Sequence, residues 1–305
     1  MKQNDAAAAK RLKRQKDILK KVAVALASIL LLVVFLGPFI CVISASVQEE
    51  QTIKLGAFTL IPHDFTLQHY QDILAGGNGV VGFLQYIWNS VKVAVCVGLL
   101  SSVISIIAAY GLSRYQFKGK EAIAKSLLFS YAFPTILSLL PVYTLMAKTG
   151  LADTHLGLIL VHTALVAPFC TWLLRSFFDS IPKEVEEAAM IDGAGRLKTI
   201  FFVLVPLVAA GLLAAGMYAI IYSWGEYMFS SITITTGALK PIPLGLSTFV
   251  GLTDMRWGRV LAACTLNFIP ILILFLPLSK TFLKGFMAGA VKASVSYTHL
   301  TLPTT

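Results

Sequence analysis

Six long apolar runs alternate with short polar stretches along the chain: residues 22–44, 91–112, 123–146, 156–177, 200–224 and 260–283. Each has about the 20 residues that a helix, rising ~1.5 Å per residue, needs to cross a hydrocarbon core. The pattern predicts an all-α membrane protein with six transmembrane helices. The first run follows a basic segment but exceeds the ~7–15-residue core of a secretory signal, so it reads as an uncleaved anchor. The longest polar stretch is 47–86, with a weak apolar–polar alternation over 52–60. A second, 228–258, is rich in glycine and proline. Neither is large enough for a domain of its own; both are placed to contact a partner on the outer face.

Composition agrees with lipid as the solvent. Of the 305 residues, 57% are hydrophobic and 13% charged, about half the charge of an average soluble domain, and the mean hydropathy is +0.78. The net charge of +10 raises nucleic acid as a partner, but the charges are distributed as a topology signal. Of the 25 Lys and Arg, only Lys54, Lys92, Lys148, Lys240, Arg256 and Arg259 fall on one side of the spans. The excess on the other side, including the basic N-terminal arm, predicts that both termini are cytoplasmic, the arm lying near anionic lipid. Cys41, Cys96, Cys170 and Cys264 all lie in apolar runs without metal-ligand spacing, so small core residues are expected and no metal site.

The segment between the fourth and fifth runs carries the most specific chemistry. Pro182 suits a first helical turn, and Glu184, Glu186 and Glu187 then sit at the positive end of the helix dipole. Val185, Ala188 and Ala189 recur at helical spacing, and Gly193, following Asp192, predicts a helix stop. A second helix opens at Arg196 and runs to Pro206. Helix, bend, helix: the small alanines allow another protein close, and Glu187 offers it a charge.

Glu187-Ala188-Ala189, then Gly193, then Val203-x-Val205-Pro206 resembles the "EAA" loop of ATP-binding cassette (ABC) importer permeases, with valine at both aliphatic positions where the family pattern has Ile and Leu. The resemblance covers roughly 83–292. It includes Trp88-Asn89-Ser90 at the start of the second span, and a C-terminal 285–292 segment similar to that of carbohydrate permeases of the maltose, MalG-like type. It implies a type I transmembrane domain and a coupling loop, 181–206, seated in a cytoplasmic ATPase through Glu186, Glu187, Ala188, Ala189, Asp192, Gly193 and Pro206. Gly289 and Lys292 in the tail would lie against that ATPase. The implied partners are a second permease in a heterodimer, two copies of the ATPase and an extracytoplasmic solute-binding protein, in a bacterial-type inner membrane. The implied cargo is a carbohydrate, with another solute such as glycerol phosphate as the main alternative.

On this reading 1–21 is a cytoplasmic basic arm, 22–46 the anchor helix and 47–85 an extracytoplasmic segment. Residues 86–284 form the five-helix transmembrane domain, 285–293 a cytoplasmic tail and 294–305 a non-native scar. No G-x-x-x-x-G-K-[ST] phosphate loop occurs, so ATP and Mg are assigned to the partner, with no cofactor on this chain and no catalysis by it. An ion-coupled secondary transporter is the rival class. It predicts carboxylates near the midplane of the spans, and these runs carry none there. Candidates for the translocation path or gate are Tyr131, Pro134, Glu226, Asn267 and Pro270. Proline inside a span frees a carbonyl and permits a bend, while for Tyr131 and Asn267 hydrogen bonding between helices is the favoured role. Glu226 is placed at the outer interface between Trp224 and Tyr227.

Overall fold

The computed structural model describes residues 2–56, 59–76, 81–250 and 255–292, with side chains between 15 and 276. Besides a 3-10 turn at Gly237–Leu239, thirteen helical segments follow in order among the described residues: α1 Lys2–Ala45, α2 Glu50–Lys54, α3 Gln68–Ala75, α4 Phe83–Arg114, α5 Lys120–Ala132, α6 Thr135–Lys148, α7 His155–Asp179, α8 Lys183–Ile191, α9 Arg196–Leu207, α10 Ala209–Gly225, α11 Met228–Thr233, α12 Ile242–Ser247 and α13 Trp257–Lys292. Among the described residues there is no strand, only one antiparallel bridge between Gln48 and Phe65. The first part of the 52–60 alternation is helical, within α2, and is closed off by Gly56 at φ 66°.

Four of the six predicted spans are unbroken helices within α1, α4, α7 and α13. The other two are bent pairs. α5 and α6 meet at 94°, and α9 and α10 at 86°. Proline explains the first break directly. Pro134 clashes with a preceding α-helical residue, and Phe133 accordingly sits at φ −68°, ψ 134°. Near the second break, Pro206 has no N–H to give the preceding turn, which widens into a π-helical stretch over Thr199–Leu204 before the chain turns at Val208. Pro168, by contrast, lies inside unbroken α7, and Pro270 inside α13. α7 is packed by α4, α5 and α10, and those contacts hold it in line across the missing bond.

Contacts divide the chain into two units, 1–73 with 251–265 and 74–250 with 266–305. In the first, α1 presents apolar side chains all round over residues 22–43, as suits a helix surrounded by lipid. The polar segment after it is knitted by hydrogen bonds: Gln48 pairs with Thr59 through both amide atoms, and the Ser46 hydroxyl lies 2.6 Å from that of Tyr70. Glu50 accepts from the amides of Trp257 and Gly258, both at 2.9 Å, satisfying donors at the start of α13. Arg259 gives two hydrogen bonds to Asp72.

The second unit is built on α4, α7 and α10. Their shared core holds Val97, Ala109, Val166, Cys170, Leu174, Ala215 and Ala219, all buried. Small residues bring these helices together, as they do in lipid, where burial alone gives little drive. A Cβ on Gly211 would fall 2.4 Å from the Phe177 ring. Cys170 is core, as expected; Cys96 is instead exposed on α4, because its side of the helix faces away from α7 and α10. At the α4 N-terminus, buried Asn89 donates to the carbonyls of Ala238 and Lys240 at 2.8 and 3.0 Å, and Ser90 accepts from Ile242 N at 2.7 Å. The Trp-Asn-Ser motif thus anchors the glycine- and proline-rich segment to the bundle.

A second tie at that end centres on Asp153, at φ 56°. Its carboxylate accepts from Thr236 Oγ1 (2.6 Å), Thr235 N (2.9 Å) and Thr236 N (3.0 Å). The Thr236 hydroxyl foremost, then the amides, hold its pKa down to about 2 from an ordinary 3.8. A depressed carboxylate stabilises the fold above its ordinary pKa and loses that contribution as pH falls through the depressed value. The thermal-stability advantage of wild type over Asp153→Asn should therefore be constant above about pH 4 and shrink towards pH 2; an advantage that grew on acidification would contradict the tie.

Candidate functional site

The predicted loop begins with a short helix whose stop is written in its own sequence. Pro182, extended at ψ 141°, precedes α8, one position earlier than the first helical turn. The helix then ends in a complete Schellman arrangement. Gly193 N donates to Met190 O at 3.1 Å, Ala194 N to Ala189 O at 3.0 Å, and Gly193 itself takes φ 82°. Gly195 is extended, and Arg196 opens α9. The helix stop read at Gly193 is where the chain turns.

The three glutamates of α8 divide by helix phase. Glu184 and Glu187 are exposed, as are Ala188, Asp192 and Gly193, while Ala189 is half-buried. Glu186 points inward and is only 8% exposed. Its Oε2 lies 2.9 Å from Arg114 Nε and its Oε1 accepts from the Tyr110 hydroxyl. Arg114 also donates to Ile181 O at 3.0 Å, so one guanidinium holds both the helix and the turn that leads into it. Tyr110 stacks edge-on against Phe178 and Tyr115, and Arg196 lies over the Tyr115 ring, 5.6 Å from its centre, while donating to the Tyr115 hydroxyl. Ser113 donates to Asp179 at 2.6 Å. The last turns of α4 and α7, α8 and the start of α9 are thereby joined in one network, around a cavity of about 220 Å³ lined by Tyr110, Arg114, Tyr115, Lys183, Glu186, Glu187, Met190 and Arg196.

Sequence reading grouped Glu186 with Glu187 as a residue facing a partner; its carboxylate is instead occupied within the chain. It also treated Arg114 as a topology charge and passed over Tyr110. The available signal was their i, i+4 spacing at the end of a span, which puts both on one helix face. Pro206 lies in α9 just ahead of the break.

The path candidates are scattered. Glu226 is buried: it accepts from Phe229 N (2.8 Å) and Ser230 N (3.0 Å), and contacts His162 Nε2 at 3.1 Å. His162 Nδ1 lies 2.9 Å from Ser223 Oγ. The carboxylate therefore caps α11 and ties α7 to the end of α10. Asn267 accepts from Trp224 Nε1 at 2.8 Å, the interhelical bond favoured for it. Pro270 borders an apolar cavity of about 540 Å³ between α4, α10 and α13. Tyr131 is half-exposed beside Phe169, and Pro134 forms the α5–α6 break. Gly289, Lys292 and the 294–305 segment lie outside the residues whose side chains are described.

The sequence of this bundle matches a known family. The "Binding-protein-dependent transport system inner membrane component" family matches residues 101–279. The chain belongs to this family. It is 36% identical over 265 residues to the inner membrane ABC transporter permease protein YcjP of Escherichia coli, covering 86% of this chain and 93% of that one. It is 33% identical to the trehalose/maltose transport system permease protein MalG of Thermococcus litoralis, over 91% and 99% of the two chains. With the sulfoquinovosyl glycerol permease SmoH of Agrobacterium fabrum it shares 32% identity over 88% and 92%. A chain of a solved bacterial ABC transporter that imports alginate has the same fold, with TM-score 0.71 and 24% identity over 88% of this chain and 98% of that one. This permease is thus a multi-pass inner-membrane transport component with the type I transmembrane fold.

The buried pairing predicts opposite outcomes for two adjacent residues. Glu186→Ala strands Arg114 in a site with side-chain exposure near 9%, and loss of one partner of such a pair costs about 3–5 kcal/mol. Glu187→Ala should leave stability within about 0.5 kcal/mol, as expected for an exposed position. Thermal denaturation of the two purified variants checks this; equal losses would refute the inward–outward assignment.

Proposed function

We propose that this permease is one of two membrane subunits of an ATP-driven, binding-protein-dependent importer of carbohydrate, and that α8 is its docking element for a cytoplasmic ATPase. The observation that carries the proposal is the geometry of α8: an outer face of Glu187, Ala188 and Gly193 left exposed, and an inner face fastened through Glu186 to α4. A partner that grips the exposed face moves the bundle with it, because Arg114 and Tyr110 belong to the same helix that packs along α7 and α10. Residue chemistry supports the seating. Alanine lets a cleft wall approach closely, and Glu187 offers a charge at the first turns of a helix.

ATP and Mg would be held by two copies of that ATPase and not by this chain, whose sequence has no phosphate loop. Closure of the ATPase pair would shift α8 and swing the helices from inward-facing to outward-facing. A solute-binding protein would then release cargo from the opposite side, onto the segments anchored by Asn89 and Asp153. The excess of Lys and Arg at the α8 end supports placing that end, and both termini, in the cytoplasm. The carbohydrate class rests on relatives: besides MalG and SmoH, the diacetylchitobiose permease DasC of Streptomyces coelicolor is 31% identical over 76% of the chain.

Glu187→Lys, and Gly193→Val, which forces a branched residue into a left-handed conformation at about 1–2 kcal/mol, should abolish uptake of labelled sugar. The protein should still insert in the membrane at normal levels. A tagged chain should co-purify with an ATPase, and both variants should weaken that recovery. Transport surviving both changes, or an active lone chain, would overturn the docking assignment.

A further inference from the structure

In the polar stretch that follows α1, three large apolar side chains stand open: Leu60, Ile61 and Phe65 are 62%, 75% and 67% exposed. Grouped exposure of this kind marks a contact surface, and the height of the segment identifies what it touches. α1 fixes that height. Its apolar run over 22–43, preceded by Lys20 and Lys21, is about 33 Å long, close to the ~30 Å of a hydrocarbon core. Burial sets in directly afterwards: Ile43 is open, while Ser44, Ala45, Ser46 and Gln48 are buried. The open residues belong to backbone bonded to that last turn. Ser44 Oγ lies 2.8 Å from the carbonyls of both Thr59 and Leu60, and Gln48 holds Thr59 through both amide atoms. Thr66 N donates to Val47 O at 2.8 Å, and Phe65 bridges to Gln48. Leu60, Ile61 and Phe65 therefore lie at the level where α1 leaves the hydrocarbon core.

A second helix reports the same level. α13 begins at Trp257, a half-exposed tryptophan of the kind that marks bilayer interfaces, and an apolar run to Leu276 follows it. Glu50 takes its first amides and Asp72 takes Arg259. His69, with Nε2 2.9 Å from Gln48 O, packs so closely on Gly258 that a Cβ there would have no room. Two spans thus end at one knot, and the open residues are part of it.

Height also decides between partners. Each headgroup layer is only about 5–7 Å thick, so a segment bonded to Ser44 sits within it. A soluble protein docking there would have to displace headgroups, whereas lipid is already present. The open residues adjoin the face that α1 offers to acyl chains through Ile40 and Ile43. His63 and Asp64, exposed between Ile61 and Phe65, supply the polar edge that an interfacial element keeps towards water.

We propose that residues 59–67 form a collar on the membrane surface, with Leu60, Ile61 and Phe65 inserted among outer-leaflet lipids at the boundary between headgroups and acyl chains. The collar fixes the depth at which α1 leaves the bilayer and α13 enters it. The choice of the outer leaflet rests on the orientation proposed above; insertion requires only that α1 spans the membrane.

The test uses the whole transporter, co-purified with its companion subunits and reconstituted in vesicles of phosphatidylethanolamine and phosphatidylglycerol. Ile61→Trp and Phe65→Trp each add one indole to the four native tryptophans, and the added fluorescence is read against wild type. Lipids brominated near the carbonyl or near the chain end, present in both leaflets, are the shallow and deep quenchers; iodide is the aqueous one. Leu99→Trp, on the open face of α4 about 24 Å from its start, calibrates the deep quencher. The added fluorescence at 61 and 65 should be quenched about twofold more by shallow than by deep bromine, and should resist iodide. Quenching by iodide and not by bromolipid would overturn the collar in favour of a water-facing surface. Loss of bromine quenching on addition of the binding protein would overturn it in favour of that protein, and protection from every quencher in favour of the companion permease. A tagged N-terminus open to protease from the outside would overturn the orientation and the leaflet together, while the quenching still decides insertion.

Discussion

Glu186 and Arg114 form an ion pair almost sealed from solvent, and much of the arrangement around α8 depends on it. A carboxylate and a guanidinium removed from water are costly unless each finds several partners. Here the carboxylate has Arg114 and Tyr110, and the guanidinium also has Ile181 O. The pair is thus less a source of stability than a constraint on geometry. α8 can keep its carboxylate satisfied only at one rotation and one distance from α4. That rotation is what turns Glu187 and Ala188 outward. The helix is short, and the left-handed Gly193 ends it abruptly, so little of a push on its outer face is lost in bending. Through Arg114 the push reaches α4, the longest buried element of the bundle.

Energetic coupling of this kind is reciprocal. If occupation of α8 by a partner alters the disposition of α4, α7 and α10, then whatever occupies the space between those helices alters the partner's affinity by the same factor. The two ends of α4 are both fastened, at Asn89–Ser90 and at Tyr110–Arg114. A rigid rod held at both ends is suited to carrying such coupling, where a chain of loops would dissipate it.

Much of this was legible beforehand, and the gaps have physical causes. Hydropathy located the six spans because length and apolarity are all a bilayer asks of a helix. It gave no sign that two of them are broken, since a window average has no direction. Pro134 and Pro168 look alike in sequence, yet only Pro134 ends a helix; α7 is straight because neighbours on three sides hold it. Gly193 was readable because a helix stop is local chemistry. Glu186 and Glu187 were not separable, for which of two adjacent glutamates faces inward depends on Arg114, 72 residues away. Glu226 was drawn to the path by its position beside Trp224, while the partner that buries it, His162, lies 64 residues earlier.

The break at Pro134 has a consequence for water. A helix that stops within an apolar span leaves its last carbonyls without donors from its own turn, and such backbone is tolerated at membrane depth only against protein or in a wet cavity. Around α5 the neighbouring Tyr131 and Phe133 are exposed. The backbone freed at the Phe133–Pro134 break therefore needs either protein or water against it. Water there would also carry ions, so whatever packs over the break has to seal it as well as satisfy its carbonyls.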